Sequence, residues 1–465
     1  MGEVDMGAKQ GGPEVPPNSP SDLDGLVAPQ NKEKKFMSLA SLGVNPPKGF
    51  RDILPQETVI RDQLLTVIID TYRSYGFERI DTPVVEDIRR LKHSEGGENL
   101  GLMFKILKRG DKLDIQSGLA DCDNLVDMGL RYDLTVPVAR YVANNRGVLP
   151  PVFKSIQIGS VWRAERPQHG RYRQFTQCDI DVFGGSAPYD EIELITVTLA
   201  TLEKLGITGA TVRVNDRQLL NMMVAQAGMP VEMTGRALVD FDKMDKVGLS
   251  GVRQALLKDG FETAAVDKFI GFAEKIDKAD PSSRLAEARK EFGGNLPESV
   301  FENLNTIITV CSAGLKNGNR IVFDPFLVRG MGYYTGPVFE IVVPEFLSSL
   351  AGGGRYDKLI GKLSGADTPA CGFSIGFERL VEILEAKRLK VQGGAKKVVV
   401  LFDQEKDPID QVLATVHEIQ AGGAIASMYA TPKNVRGLLD KLKQSGYTHV
   451  LRVKAGEPVE PRPLQ

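Results

Sequence analysis

The sequence predicts an α+β fold: an antiparallel sheet flanked by helices, interrupted by a helical insertion and followed by a small α/β module. Three observations carry this. Two alternating strands, 153–165 and 173–184, are joined by a loop too short for a parallel crossover, so they pair antiparallel. From about residue 222 to 319 the pattern is helical, and strand-like wording resumes only at Arg320. After the stretch VQGGAKK, strands and helices alternate, as in a parallel α/β unit. Neither a phosphate-binding GxxxxGK[ST] loop nor a complete GxGxxG occurs, which argues against the parallel nucleotide-binding folds.

With 465 residues the chain has room for several domains. Its 42% hydrophobic and 25% charged content is that of a soluble globular protein. A net charge of −2 carries no global basic signal, so any nucleic acid must meet a local patch. The four cysteines, Cys122, Cys178, Cys311 and Cys371, are far apart with no CxxC pair. Neither a disulfide framework nor a resident metal site is expected, and a reducing compartment fits. No apolar run approaches the roughly 20 residues that span a bilayer, so no membrane partner is expected.

Residues 1–45 are rich in Pro, Gly, Ser and mixed charge, and are expected to form a disordered tail. The tail lacks Arg and carries Glu3, Asp5, Glu14, Asp22 and Asp24, unlike an Arg-rich organelle presequence, so a cytoplasmic location is expected. A folded domain over 46–221 and 320–390 is expected to follow. It opens with a helix over about 56–75 whose apolar stripe is Val59, Ile60, Leu64, Val67, Ile68 and Tyr72, ended by Gly76. The strand FERIDTPVVE holds Pro83, which removes a ladder donor and places the strand at an edge or boundary. An irregular excursion with a strand over 103–107 leads to LRYDLTVPVARYVANN. In that segment Arg131, Asp133 and Thr135 share strand parity and are expected to point one way.

In the hairpin, Gln157, Gly159, Arg163 and Glu165 share one face of the first strand. Phe175, Gln177, Asp179 and Asp181 share one face of the return strand. Apolar residues sit behind both. A merely solvated face seldom places an aromatic ring among carboxylates. The connecting loop carries Arg166, Arg171 and Arg173 with almost nothing to neutralise them. Fixed guanidiniums beside a hydrogen-bonding strand suit a phosphate-bearing ligand, because the planar fork matches phosphate oxygens.

Arg163-x-Glu165, a loop, then Arg171-xxx-Phe175 resembles motif 2 of class II aminoacyl-tRNA synthetases, and RPQHGRYRQF resembles the histidyl-tRNA synthetases in particular. The resemblance runs from about Pro46 onward. It implies a class II synthetase-like catalytic sheet. It makes the first helix and its proline-bearing strand a counterpart of motif 1, which forms the homodimer interface in that family. It makes LRYDLTV the segment lining the amino-acid pocket, with Asp133 on the ammonium and Thr135 in support.

Beyond the hairpin, helix 188–205, the strand ATVRVND and a further helix lead into the insertion over 222–319, which contacts the tRNA acceptor arm in the resembled family. Residues 320–345 read as a strand pair turning near Gly330. LVRGMGYYTG within them resembles a motif peculiar to histidyl-tRNA synthetases, implying that Arg329 reaches the α-phosphate and that Tyr333 and Tyr334 line the imidazole pocket. The glycines of AGGGRYDKL permit close approach of backbone to ligand. CGFSIGFERLVEIL runs from strand into helix, with Gly376 read as helical, and resembles motif 3, implying that Arg379 holds the ATP polyphosphate. The module over 396–465 corresponds to the family's anticodon-binding domain, shortened at its end.

The resemblance therefore implies a histidine–tRNA ligase whose partners are ATP, Mg²⁺, histidine and tRNA(His). Arg163, Arg329 and Arg379 are its catalytic arginines. Asp133, Thr135, Gln177, Asp181, Tyr333 and Tyr334 bind histidine, with Gln177 and Asp133 on the ammonium and Asp181 on an imidazole nitrogen. Glu165, Arg171 and Phe175 join the three arginines on ATP, with Phe175 stacked on adenine and Glu165 accepting from its amino group. Two alternatives stand beside this reading. One is the non-catalytic paralogue that regulates ATP phosphoribosyltransferase, which typically lacks the phosphate-binding arginines and the C-terminal module. The other is a synthetase-like RNA-binding protein.

Overall fold

The computed structural model describes residues 43–94, 101–116, 122–167, 171–344, 346–386, 396–453 and 460–464. The expected disordered tail lies, but for its last few residues, outside them. By its contacts the chain divides into Met1–Pro46 and Pro47–Gln465, and the second unit holds everything below. Its strands are β1 (Glu78–Ile80), β2 (Val85–Asp87), β3 (Lys105–Leu107), β4 (Val126–Leu130), β5 (Phe153–Trp162), β6 (Gln174–Phe183), β7 (Thr211–Asp216), β8 (Arg320–Phe323), β9 (Pro337–Val343), β10 (Phe346–Arg355) and β11 (Ala370–Gly376).

Eight of them form one sheet in the order β1-β5-β6-β11-β10-β9-β7-β8. The central pairings are antiparallel, as the tight hairpin requires. The two edge pairings, β1 with β5 and β7 with β8, are parallel, which differs from a purely antiparallel expectation. Each edge strand is separated from its partner by a long excursion, and such a connection permits parallel pairing. β1 stops at Ile80, ahead of Pro83, and the chain leaves for a separate three-stranded sheet, β2-β4-β3. The proline-bearing segment is thus two short strands, the first at the sheet edge.

One face of the large sheet is apolar. Ile156, Ile180, Phe373 and Ile341 are buried against the helices Pro55–Ser74 and Tyr189–Lys204. Leu64, Ile68 and Tyr72 carry the first helix into this core, whereas Val59 is 39% exposed and lies outside the buried stripe. The helices from Arg217–Gln226 to Glu298–Gly314 build a second core around Phe241, Phe269 and Phe301. The last of these helices spans both cores, with Leu304 in the second and Ile307 in the first.

Three local expectations are corrected. Residues 131–135 are not a strand: β4 stops at Leu130 and a helix runs over Thr135–Asn145. Asp133 Oδ1 accepts from the Val136 amide at 3.1 Å, and Pro137 sits in the first turn, where its missing donor costs nothing. Arg131 therefore does not share a direction with Asp133. Its guanidinium donates to the Ser160 and Thr82 carbonyls at 2.8 Å each. Secondly, β8 and β9 are not a pair, because β7 lies between them, and residues 324–336 form a loop. Thirdly, Gly376 ends β11 rather than sitting within the helix, which begins at Phe377.

The C-terminal module adds β12 (Lys397–Phe402), β13 (Ile425–Ala430), β14 (His449–Arg452) and β15 (Arg462–Pro463) in the order β13-β12-β14-β15. β12 is parallel to both neighbours. Val398 and Val400 face one apolar cluster, Val399 and Leu401 the other, so the Val run is that of a strand buried on both faces. β15 is a short antiparallel strand that the sequence reading did not anticipate.

Candidate active site

The polar face of the large sheet is the floor of a cavity of about 480 Å³. Register places its side chains in rows. Gln177 lies opposite Gly376, Asp179 opposite Ser374 and Asp181 opposite Gly372. One strand further, Ser374 lies opposite Gly352, and Gly352 opposite Glu340. The glycines keep the floor low. A Cβ at Gly372 would fall 2.0 Å from Asp181 Oδ1, and one at Gly352 would fall 2.4 Å from Arg329 Cζ. The glycine run of β10 is therefore mid-strand backbone that clears room for functional side chains, not a loose turn.

All twelve residues singled out from the sequence line this one cavity: Asp133, Thr135, Arg163, Glu165, Arg171, Phe175, Gln177, Asp181, Arg329, Tyr333, Tyr334 and Arg379. They come from four places: the hairpin, the start of the helix Thr135–Asn145, the loop 324–336 and the first turn of the helix Phe377–Ala386 that follows β11.

One end of the cavity is rich in acceptors. The Tyr356 hydroxyl donates to Asp181 Oδ1 at 2.5 Å. Asp181 Oδ2, Asp179 Oδ1 and Gln177 Oε1 are buried without a partner among the described residues. The Gln177 amide nitrogen donates to Ser374 Oγ at 3.0 Å. The Tyr333 hydroxyl lies 3.2 Å from both Asp133 Oδ2 and Thr135 Oγ1 and joins them. Burial pushes the Asp181 carboxyl up to about 7, with the Tyr356 hydroxyl opposing and the Asp133 charge adding. Burial and the neighbouring Asp181 likewise hold Asp179 well above the usual carboxylate range. Burial also raises Asp133, against the pull of the Val136 amide and Arg163. Buried acceptors without donors call for a ligand that supplies donors, and crowded carboxylates call for positive charge.

The other end is basic. The Arg163 guanidinium lies 4.3 Å from the Tyr132 ring centre and 5.1 Å from that of Phe175. Arg329 Nη1 donates to Glu340 Oε2 at 2.7 Å, while its Nε has no partner among the described residues. Arg171 reaches Glu165 at 3.4 Å. Arg379 donates to the Ser349 carbonyl. Burial, then the like charges of Arg171 and Arg329, push the Arg379 guanidinium below its ordinary value, and Arg163 adds to this while Glu340 opposes it. Three guanidiniums crowding a fourth, Arg379, suit an anionic ligand. Glu378 steadies this end. It accepts from Arg61 at 2.6 Å and from the Thr176 amide at 3.2 Å, tying the first helix to β6 beside Phe175.

Among the lining residues given no role from the sequence, Asp179, Ser374, Tyr356 and Glu340 bear on the site's polar contacts. A signal existed for three. Asp179 lies on the same alternation as Gln177 and Asp181, Glu340 is the only charged residue in the run PVFEIVV, and Tyr356 comes two residues after the glycine run. Ser374 carried no sequence signal of its own.

The family model described as "Histidyl-tRNA synthetase" matches residues 49–380. A histidine–tRNA ligase of Leifsonia xyli subsp. xyli (strain CTCB07) is 42% identical over 422 residues, covering 89% of this chain and 96% of the relative. A histidine–tRNA ligase of Aeropyrum pernix is 39% identical over 371 residues, covering 77% of this chain and 79% of the relative. Among solved structures, the histidyl-tRNA synthetase of Nostoc sp. PCC 7120 superposes with a TM-score of 0.68 at 27% identity, covering 88% of this chain and 92% of that one.

Proposed function

We infer the reaction from one premise: the chain belongs to the histidyl-tRNA synthetase family. Its activity is histidine–tRNA ligation. ATP and histidine give histidyl-adenylate and pyrophosphate, and the histidyl group then passes to the 3′ end of tRNA(His). The observation that carries this reading onto the residues is the single cavity whose acceptor-rich end adjoins a cluster of four arginines.

In the first step a histidine carboxylate oxygen bonds to the α-phosphorus and the bond to the pyrophosphate oxygen breaks. Two anions must meet, so positive charge fixed in advance supplies most of the stabilisation and positioning most of the rest. We assign Arg163 and Arg329 to the α-phosphate, and Arg379 with Arg171 to the β and γ phosphates. Phe175 stacks on adenine, and Glu165 accepts from its amino group. Gln177 and Asp133 take the ammonium, with Thr135 and Tyr333 holding Asp133. Asp181 accepts from one imidazole nitrogen and Tyr334 serves the other side. No general base is needed, because the attacking carboxylate is already ionised. In the second step a terminal tRNA hydroxyl attacks the acyl carbon and AMP leaves. Magnesium enters with ATP as the counterion of its polyphosphate.

The wider arrangement is proposed on the same footing. A homodimer is supported by the exposed apolar residues Leu54, just before the first helix, Val59 within it and Val84 in the segment after β1. The helical insertion is assigned to the acceptor arm, and the C-terminal module to the anticodon. A cytoplasmic location rests on the composition of the tail. Among the described residues no helix is long and apolar enough to cross a membrane. The regulatory-paralogue alternative is disfavoured by the presence of Arg163, Arg329 and Arg379 around the cavity.

The test is histidine-dependent exchange of pyrophosphate into ATP by the purified chain, followed by charging of tRNA(His). Exchange that requires histidine and no other amino acid is expected. Exchange that is absent, or indifferent to histidine, overturns the reading.

A further inference from the structure

Asp179 has no part in the reaction as derived above, yet it is 4% exposed and sits between Gln177 and Asp181 on the cavity floor. Across the strand pair its partner is Ser374. The Ser374 hydroxyl accepts from Gln177 Nε2 at 3.0 Å, and from its place directly across the strand pair it favours the ionised Asp179 carboxyl.

A serine hydroxyl has one proton to give, and an ionised carboxylate can only accept. If Ser374 gives its proton to Asp179, it can only accept from Gln177. The Gln177 amide must then point its nitrogen at Ser374 and leave its oxygen toward the cavity. That oxygen is the buried Gln177 Oε1 that has no partner among the described residues. We propose that Asp179 is a positioning residue which, through Ser374, orients the Gln177 amide so that its oxygen faces the amino group of the amino-acid substrate. This rests on the assignment of Gln177 to the ammonium.

The relay has a direction. With an amide at position 179, the new NH₂ can donate to Ser374, which is then free to donate to Gln177. Gln177 would turn its oxygen to Ser374 and its NH₂ to the cavity, where it meets an ammonium donor to donor. Charge works the same way. Burial and Asp181 raise the proton affinity of Asp179, and a bound ammonium lowers it. An ionised Asp179 and an ammonium-accepting Gln177 therefore accompany each other.

The experiment is titration calorimetry of the full chain with two ligands: histidine, and imidazolepropionate, which keeps the ring and carboxylate but lacks the amino group. Asp179→Asn is expected to weaken histidine by about 10- to 100-fold, as for a lost hydrogen bond to a charged group, and to leave imidazolepropionate within about threefold. Ser374→Ala should show the same selective loss, and Ser374→Thr, which keeps the hydroxyl, should restore it. Equal weakening of both ligands by Asp179→Asn overturns the relay in favour of a pocket-shaping role. A selective Asp179→Asn beside a silent Ser374→Ala also overturns it, because Asp179 then touches the ammonium directly. So does a wild-type chain that binds both ligands alike. Binding is read without turnover, so absent pyrophosphate exchange in a chain that binds histidine counts against the ligase reading alone.

Discussion

Asp181 is expected to cost the folded chain stability in exchange for its role in the pocket. Burial, opposed by the Tyr356 hydroxyl and helped by the Asp133 charge, moves its carboxyl from the ordinary 3.8 to about 7. The folded chain therefore holds that proton more tightly than the unfolded chain does. Below about pH 4 both states are protonated and no penalty exists. The penalty grows as pH rises from about 4 to about 7 and then levels off. At about 1.4 kcal/mol for each pH unit, the full penalty is on the order of 4 kcal/mol as an upper bound. Asp181→Asn removes the charge, and its amide oxygen can still accept from Tyr356. The variant without ligand should gain stability over the wild type, and that advantage should grow by about 2–3 kcal/mol between pH 5 and pH 8. Urea unfolding of both proteins at the two pH values, at one protein concentration, measures it. Histidine affinity should fall in the same variant while ATP affinity holds. An advantage that is flat or shrinks with rising pH refutes the argument that Asp181 is ionised at a cost.

Two other outcomes are expected. Gly352→Ala should place a methyl 2.4 Å from Arg329 Cζ, displacing the far end of a flexible side chain and sparing the fold; pyrophosphate exchange should drop about 100-fold with an unchanged melting temperature, and normal exchange would remove Arg329 from the α-phosphate. A chain ending at Ala386 keeps the main sheet and loses a module with its own apolar clusters; it should retain exchange while charging of tRNA falls about tenfold or more, and unimpaired charging would show that the module adds nothing to tRNA binding.

What could be read from the sequence was local. The hairpin was visible because alternation of period two continues through both arms, so the face bearing Phe175, Gln177 and Asp181 followed from parity alone. The segment 131–135 was misread because its alternation mimics a strand. The stronger signal was Asp133 three residues before Val136 with Pro137 in the first turn, which starts a helix. The separation of β8 from β9 by β7 was not available locally, because β7 arrives from before the helical insertion. Asp179 shows the same limit at the site. Its direction was given by parity, but its use depends on Ser374, a residue 197 positions from Gln177 in the chain.

The juxtaposition of opposite charges in one cavity follows from the order of the strands. β6 brings the carboxylates and Gln177, while β9, β10 and the loop 324–336 bring Glu340 and Arg329. β11 lies between β6 and β10 and contributes Gly372, Ser374 and Gly376. Side chains larger than these on β11 would fill the space through which a ligand must run from the acidic end to the basic end. A Cβ at Gly372 already meets Asp181, and one at Gly376 would come within 3.3 Å of the Leu350 carbonyl. The floor between the two charged ends is therefore nearly bare backbone, with one hydroxyl set in it. A zwitterion whose ammonium is held at one end can bring its carboxylate toward the arginines only across such a floor. The strand that carries the least side-chain bulk thus sets the span between the two charged ends, and the hydroxyl it does carry, Ser374, accepts from the Gln177 amide at 3.0 Å.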